Sequence, residues 1–225
     1  MNILALDTSQ SVCSVALKSG DKLISLFDGT AKSSSNRLLA MIKSVINQAD
    51  IGIESLDVIA FGQGPGSFTG LRIAAAVAQG LSFSHNIVVK PVCSLQAIAQ
   101  GIYRRDAISQ VVVLVDARMG EVYQGRYCFD GSQMQAVESE SVIAPEQIDF
   151  KMIKGGGWYG AGSGWDEYRD ELLDGRGWIE GVINDCVPYA EDIISLSHAA
   201  HGVDVSLATP IYLRNNVTHD GGKRG

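Results

Sequence analysis

Between an apolar strand and a helix, the chain places Gly62, Gly64, Gly66 and Gly70 with Pro65, Ser67, Thr69 and Arg72 among them. Glycines at such a junction bring backbone amides close to a ligand, and the unpaired N–H groups of a first helical turn favour anions. The segment is therefore a candidate phosphate cradle, with Gly64 and Gly66 as its backbone donors. It lacks the Gly-Lys-Ser/Thr ending of a P-loop, and its glycines do not fall at the G-x-G-x-x-G spacing of dinucleotide folds. The other reading is a tight turn whose glycines let a helix pack closely on a sheet.

Two aspartates stand at equivalent points of a repeated pattern. The apolar run from Ile3 ends in Asp7, turns through Thr8, Ser9 and Gln10, and resumes at Val12. The run from Val111 ends in Asp116, turns through Arg118 and Gly120, and resumes at Val122. Two strand-Asp-turn-strand units about a hundred residues apart predict two similar lobes, although chance recurrence of hairpins in an α/β chain would look the same. Asp7, Thr8, Ser9 and Asp116 are candidate neighbours of a phosphate or Mg²⁺, with turn capping by the aspartates as the alternative.

Other chemistry is sparsely represented. The four histidines and four cysteines are scattered. There is no C-x-x-C pair, no H-E-x-x-H and no discernible Ser-His-Asp grouping, so neither a zinc site, a disulfide framework nor a peptidase is indicated. A net charge of −7 argues against a broad basic surface for nucleic acid. No apolar run approaches the length of a membrane span and no secretory leader is evident, so a cytoplasmic protein without membrane contact is expected.

The elements that must carry these residues follow from periodicity. Ser33 to Asn36 supply capping side chains for a helix from about 34 to Asp50, whose apolar arc of Leu38, Leu39, Ile42, Val45, Ile46 and Ala49 is wide. A second helix from about Ser67 to Phe83 carries Ala74, Ala75, Ala76, Ala78 and Gly80. Together the two predict a surface facing both a sheet and a second subunit, or else helices sandwiched within one chain. Further helices are predicted from Ser94 to Tyr103, near Pro145, and from Ala190 to Ala200. Gly155 to Trp165 is predicted as a loop framing a strand, and the chain from Asn215 on as a frayed tail.

The runs from Ile3 to Ser9, Gly64 to Ile73, Asp116 to Tyr123, Gly162 to Trp165 and Pro210 to Asn216 closely resemble the bacterial TsaB (YeaZ) family, in order along nearly the whole chain. The resemblance implies an α/β, two-lobed actin/Hsp70/sugar-kinase-like fold with duplicated mixed-sheet lobes. Residues 1–105 would form the first lobe, and 106–225 the second, whose last helix and tail pack back on the first. It also implies a part in threonylcarbamoyl transfer to adenosine 37, beside the anticodon of tRNAs that read codons beginning with A.

The expected role is that of a non-catalytic subunit. In the catalytic paralogue, TsaD, a His-x-x-x-His pair binds a metal; aligning the Gly-Pro-Gly segments puts those histidines at about Ser94 and Ile98, which cannot replace them. No metal and no cofactor is expected. The implied partners are a TsaD-type paralogue and a TsaE-type ATPase, with a homodimer when the chain is alone and tRNA reached only through the complex. Leu38, Leu39, Ile42, Val45, Ile46, Ile73, Ala74 and Val77 are the expected partner interface.

Overall fold

A computed structural model describes residues 1–10, 12–29, 35–150, 156–173 and 179–214. The capping serines Ser33 and Ser34, Gly155, and the tail from Asn215 lie outside the described residues.

Two sheets share one connectivity. In the first, β1 (Asn2–Asp7), β2 (Cys13–Ser19) and β3 (Lys22–Asp28) form an antiparallel meander. Then β4 (Val58–Gly64) and β5 (Val88–Cys93) add in parallel on the other side of β1, giving the order β3-β2-β1-β4-β5. In the second, β6 (Gln110–Arg118) pairs antiparallel with β7 (Glu121–Phe129), which pairs with the short β8 (Met134–Ala136) and β9 (Ser141–Ile143). On the far side of β6 lie β10 (Tyr159–Ala161) and β11 (Gly181–Ile183), both parallel to it. Read from β8 to β11, this order repeats the first sheet. The recurring Asp7 and Asp116 units are thus the leading hairpins of two like-built sheets, and the two-lobed α/β architecture is present.

The helices explain their own composition. α1 (Ser35–Ala49) and α2 (Phe68–His85) cover the outer face of the first sheet, where Leu38, Ile42, Val45 and Ile46 meet Leu4, Leu6, Val15, Leu17, Ile59 and Phe61. The alanines of α2 let it lie close on β4, with Ala74, Ala75 and Ala78 buried. α3 (Ser94–Asp106) is enclosed on two sides: Ala97 joins the inner face of the first sheet, while Leu95, Ile98, Ala99 and Ile102 join the second. α6 (Ala190–Ser197) follows the second sheet in sequence yet packs Ile193, Ile194 and Leu196 on the first. On the outer face of the second sheet, Trp158 and Trp165 lie with Ile148 and Phe150, beside the short α4 (Gly164–Glu167) and α5 (Arg169–Leu173). Among the described residues no helix is long and apolar enough to cross a membrane.

Candidate functional site

The first hairpin is closed by its own chain. Asp7, Thr8 and Ser9 are buried, and Asp7 Oδ1 accepts from the Ser9 amide at 2.8 Å and the Ser9 hydroxyl at 2.7 Å. Its Oδ2 accepts from Ser94 Oγ at 3.0 Å, and Ser94 Oγ in turn accepts the Gly64 amide at 3.2 Å. Burial pushes the Asp7 carboxyl up to about 6, the hydrogen bonds from Ser9 and Ser94 pulling in the other direction.

The glycine loop packs directly on the first hairpin. Ser67 donates its amide to the Ser9 carbonyl at 2.6 Å, and Thr8 Oγ1 donates to the Gly70 carbonyl at 2.7 Å. A Cβ on Gly66 would overlap the Ser9 carbonyl, and one on Gly70 the Thr8 carbonyl. Ser67 caps α2 from the Gly70 amide at 3.3 Å, and Gly64 adopts φ +107° before the cis peptide to Pro65. Of the two readings of these glycines, close packing describes the geometry. Asp7, Thr8, Ser9 and the Gly64 amide thus make hydrogen bonds to Ser67, Gly70, Ser94 and one another.

Asp116 is placed differently, half-buried at the tip of the second hairpin. Its Oδ1 accepts from the Arg118 amide at 2.8 Å and the Tyr168 hydroxyl at 3.1 Å, and its Oδ2 pairs with the Arg118 guanidinium at 3.0 Å. Asp116 therefore caps a turn. Asp7 and Asp116 are held by separate networks, and no hydrogen bond joins them.

At the positions aligned with the paralogue's metal ligands, Ser94 and Ile98 are each 1% exposed, in the core of α3. Among the described residues no cluster of three or more His, Cys, Asp or Glu could hold a metal. His85, His198 and His201 are exposed, and His219 lies outside the described residues. The cysteines are free, and burial pushes the Cys13 thiol up to about 11 and Cys93 to about 12, away from nucleophilic use.

The residues of the expected partner surface fall into two groups. Leu38, Ile42, Val45, Ile46 and Ala74 belong to the chain's own core, because α1 lies over β2 and β3 and its wide arc is absorbed by that sheet. What remains outward is Leu39, 46% exposed, with Ile73 and Val77 half-buried. The structure adds exposed Ala76, exposed Gly80 and Phe83, which is 83% exposed. A Cβ on Gly80 would meet nothing within 4 Å, so no contact among the described residues requires glycine there. The small residues of α2 carried this signal in the sequence; Phe83 had no pattern to mark it.

The segment after α6 returns to the first sheet as a strap. Val203 donates its amide to the Val89 carbonyl at 2.9 Å, Gln79 reaches the Ala208 carbonyl at 3.1 Å, and Ile211 donates its amide to the Gln63 carbonyl at 2.9 Å. Tyr212 then lies beside Phe68 and Arg72, and Arg214 crosses to the second hairpin to pair with Glu121.

Comparison with known proteins places this arrangement. Residues 26–157 match the family model described as TsaD, tRNA N6-adenosine threonylcarbamoyltransferase. The tRNA threonylcarbamoyladenosine biosynthesis protein TsaB of Escherichia coli is 34% identical over 96% of each chain. The Haemophilus influenzae protein of the same description is 31% identical over 97% of this chain and 95% of its own. The solved structure of YeaZ from Pseudomonas aeruginosa superposes with a TM-score of 0.88 at 36% identity, covering 94% of this chain and 99% of its own.

Proposed function

Because the chain belongs to the TsaB (YeaZ) family, we propose that it acts in tRNA threonylcarbamoyladenosine biosynthesis as a required, non-catalytic subunit. Its partner is a TsaD-type catalytic paralogue, and with it the chain recruits a TsaE-type ATPase for transfer to adenosine 37 of tRNAs reading codons that begin with A. The reading has it working in the cytoplasm as two lobes, 1–105 and 106–225, pairing with itself when the paralogue is absent.

The observation that carries this reading is Gly80. Glycine inside an exposed helix costs about 1 kcal/mol relative to alanine, and here no neighbour among the described residues asks for it. Ala76 and Phe83 lie on the same exposed face of α2 as Gly80, so a partner's helix could approach closely there, against apolar side chains that water solvates poorly. The hydrogen bonds that tie the first hairpin to the glycine loop suit a supporting role.

The test is threonylcarbamoyl transfer to unmodified tRNA with purified paralogue and ATPase, with and without this chain, and with this chain alone. Product that requires the chain but never forms from it alone is the expected result. Turnover by the chain alone would instead make it an autonomous ATP-dependent enzyme and overturn the proposal.

A further inference from the structure

At the N-terminal end of α2 an arginine lies on the face of one exposed aromatic ring and beside a second. The Arg72 guanidinium carbon lies 3.1 Å from the Phe68 ring centroid and 5.2 Å from that of Tyr212, and the rings are 5.8 Å apart at 40°. Phe68 is 63% exposed and Tyr212 44%. The hydrogen bond from the neighbouring Ile211 amide to Gln63 fixes the strap against the glycine loop, and with it the position of Tyr212. No carboxylate among the described residues pairs with Arg72, although the chain carries a net charge of −7.

A cation on the face of one exposed ring and beside another, with no carboxylate partner among the described residues, fits a ligand that is both anionic and aromatic. Base stacking on aromatic and arginine planes, with the guanidinium edge left to donate to phosphate, is how unpaired RNA is held. A carboxylate peptide would answer the charge but leave the ring faces idle. We propose that Phe68, Arg72 and Tyr212 form a direct contact site for an unpaired base of single-stranded RNA and its phosphate. The site lies about 20 Å along α2 from Phe83, so it stays clear of the centre of the proposed helix contact. It rests on the reading that the chain works on tRNA, and it departs from the expectation that tRNA reaches the chain only through the complex.

The test is fluorescence anisotropy of the full chain with a labelled anticodon stem-loop, against a blunt RNA duplex of equal length and against free ATP as competitor. Wild type should prefer the stem-loop. Phe68→Leu and Tyr212→Leu should each weaken it about tenfold, the loss of one stacked base, while Phe68→Trp retains binding. Arg72→Met should also lower the salt slope by about one. Thermal melting of each variant separates loss of binding from loss of fold, and ultraviolet cross-linking should place the RNA on Phe68 or Tyr212.

Wild-type affinity in both leucine variants, equal binding of the duplex, or no saturable binding by wild type even at about 10⁻⁴ M, a range typical of non-specific contacts, would each overturn the site. Competition by free ATP at concentrations comparable to the stem-loop would make it a mononucleotide site and overturn the RNA assignment. Since the transfer assay does not depend on this binding, a chain required for transfer that fails here refutes the contact alone.

Discussion

Gly62 leaves no room between its Cα and the carboxylate of Asp7: a Cβ there would overlap Oδ2. The C-terminal ends of β4 and β1 are therefore locked together by the absence of a single methyl group. Gly62→Ala must push Asp7 off its bonds with Ser9 and Ser94, and is expected to cost at least about 2 kcal/mol. Urea denaturation of the variant would show it as a lower midpoint with an unchanged slope. A midpoint equal to wild type would mean that Asp7 moves freely.

Asp7 also makes stability depend on pH. Burial holds its carboxyl at about 6 in the folded protein, above the ordinary aspartate value of about 3.9. The native state thus binds the proton more tightly than the unfolded chain. The contribution is fully present below the unfolded value and is lost as pH rises through about 6, an amount on the order of 3 kcal/mol. Asp7→Asn keeps an acceptor for Ser9 and removes the titration. Relative to wild type, it should gain stability between pH 4.5 and pH 7.5, measured by urea denaturation at both; a constant difference would contradict the raised value.

A second buried carboxylate joins two elements. Asp192 of α6 is fully buried and accepts from Arg104 of α3 at 2.8 Å and 3.1 Å, and a Cβ on Gly101 would come within 2.8 Å of it. Burial raises the Asp192 carboxyl even with the guanidinium beside it. Arg104→Ala leaves that charge without its cation and is expected to cost about 3 kcal/mol, at the lower end because Arg104 is itself 39% exposed. Asp192→Asn in the same chain should recover part of the loss; a double-mutant cycle without coupling would show the pair to be incidental.

Leu39 and Ile46 sit two turns apart on α1 and now have opposite roles. Ile46 is 7% exposed, within the core against the first sheet, while Leu39 points outward. Leu39→Asp is expected to change stability by less than about 0.5 kcal/mol and to abolish pull-down of the paralogue. Ile46→Asp is expected to unfold the chain, since an uncompensated charge would be buried. Circular dichroism and pull-down of both variants check this; retained pull-down by Leu39→Asp would remove α1 from the proposed contact.

The two leading hairpins were readable from apolar runs ending in Asp and turning through short polar residues, and α1, α2 and α3 from their period and their flanking glycine or proline. β3 was not, because Lys22 to Asp28 is an edge strand with about half of its side chains in solvent. β8, β9 and β11 are three residues each, too short for any period to show. The wide arc of α1 left two readings open because periodicity gives the width of an apolar stripe without the sheet that covers it. Tyr212 on Phe68 and Arg214 on Glu121 join distant parts of the chain, and nothing local in sequence marks such pairs.

The second hairpin's tip depends on that last pair. Arg118 and Met119 both adopt φ +62°, a left-handed conformation that side chains other than glycine rarely take, and both are exposed. Arg214 reaches them from the strap, donating to the Arg118 carbonyl at 3.2 Å and lying 3.4 Å from Met119 Sδ while it pairs with Glu121. The strap, anchored on the first sheet at Gln63 and Val89, thereby holds a turn of the second. Arg214→Ala should leave global stability within about 1 kcal/mol, as expected for a partly exposed ion pair. It should also speed amide hydrogen exchange at residues 118–121, because the left-handed turn loses its external support. Unchanged exchange there would mean that Asp116 alone, through the Arg118 amide, fixes the tip.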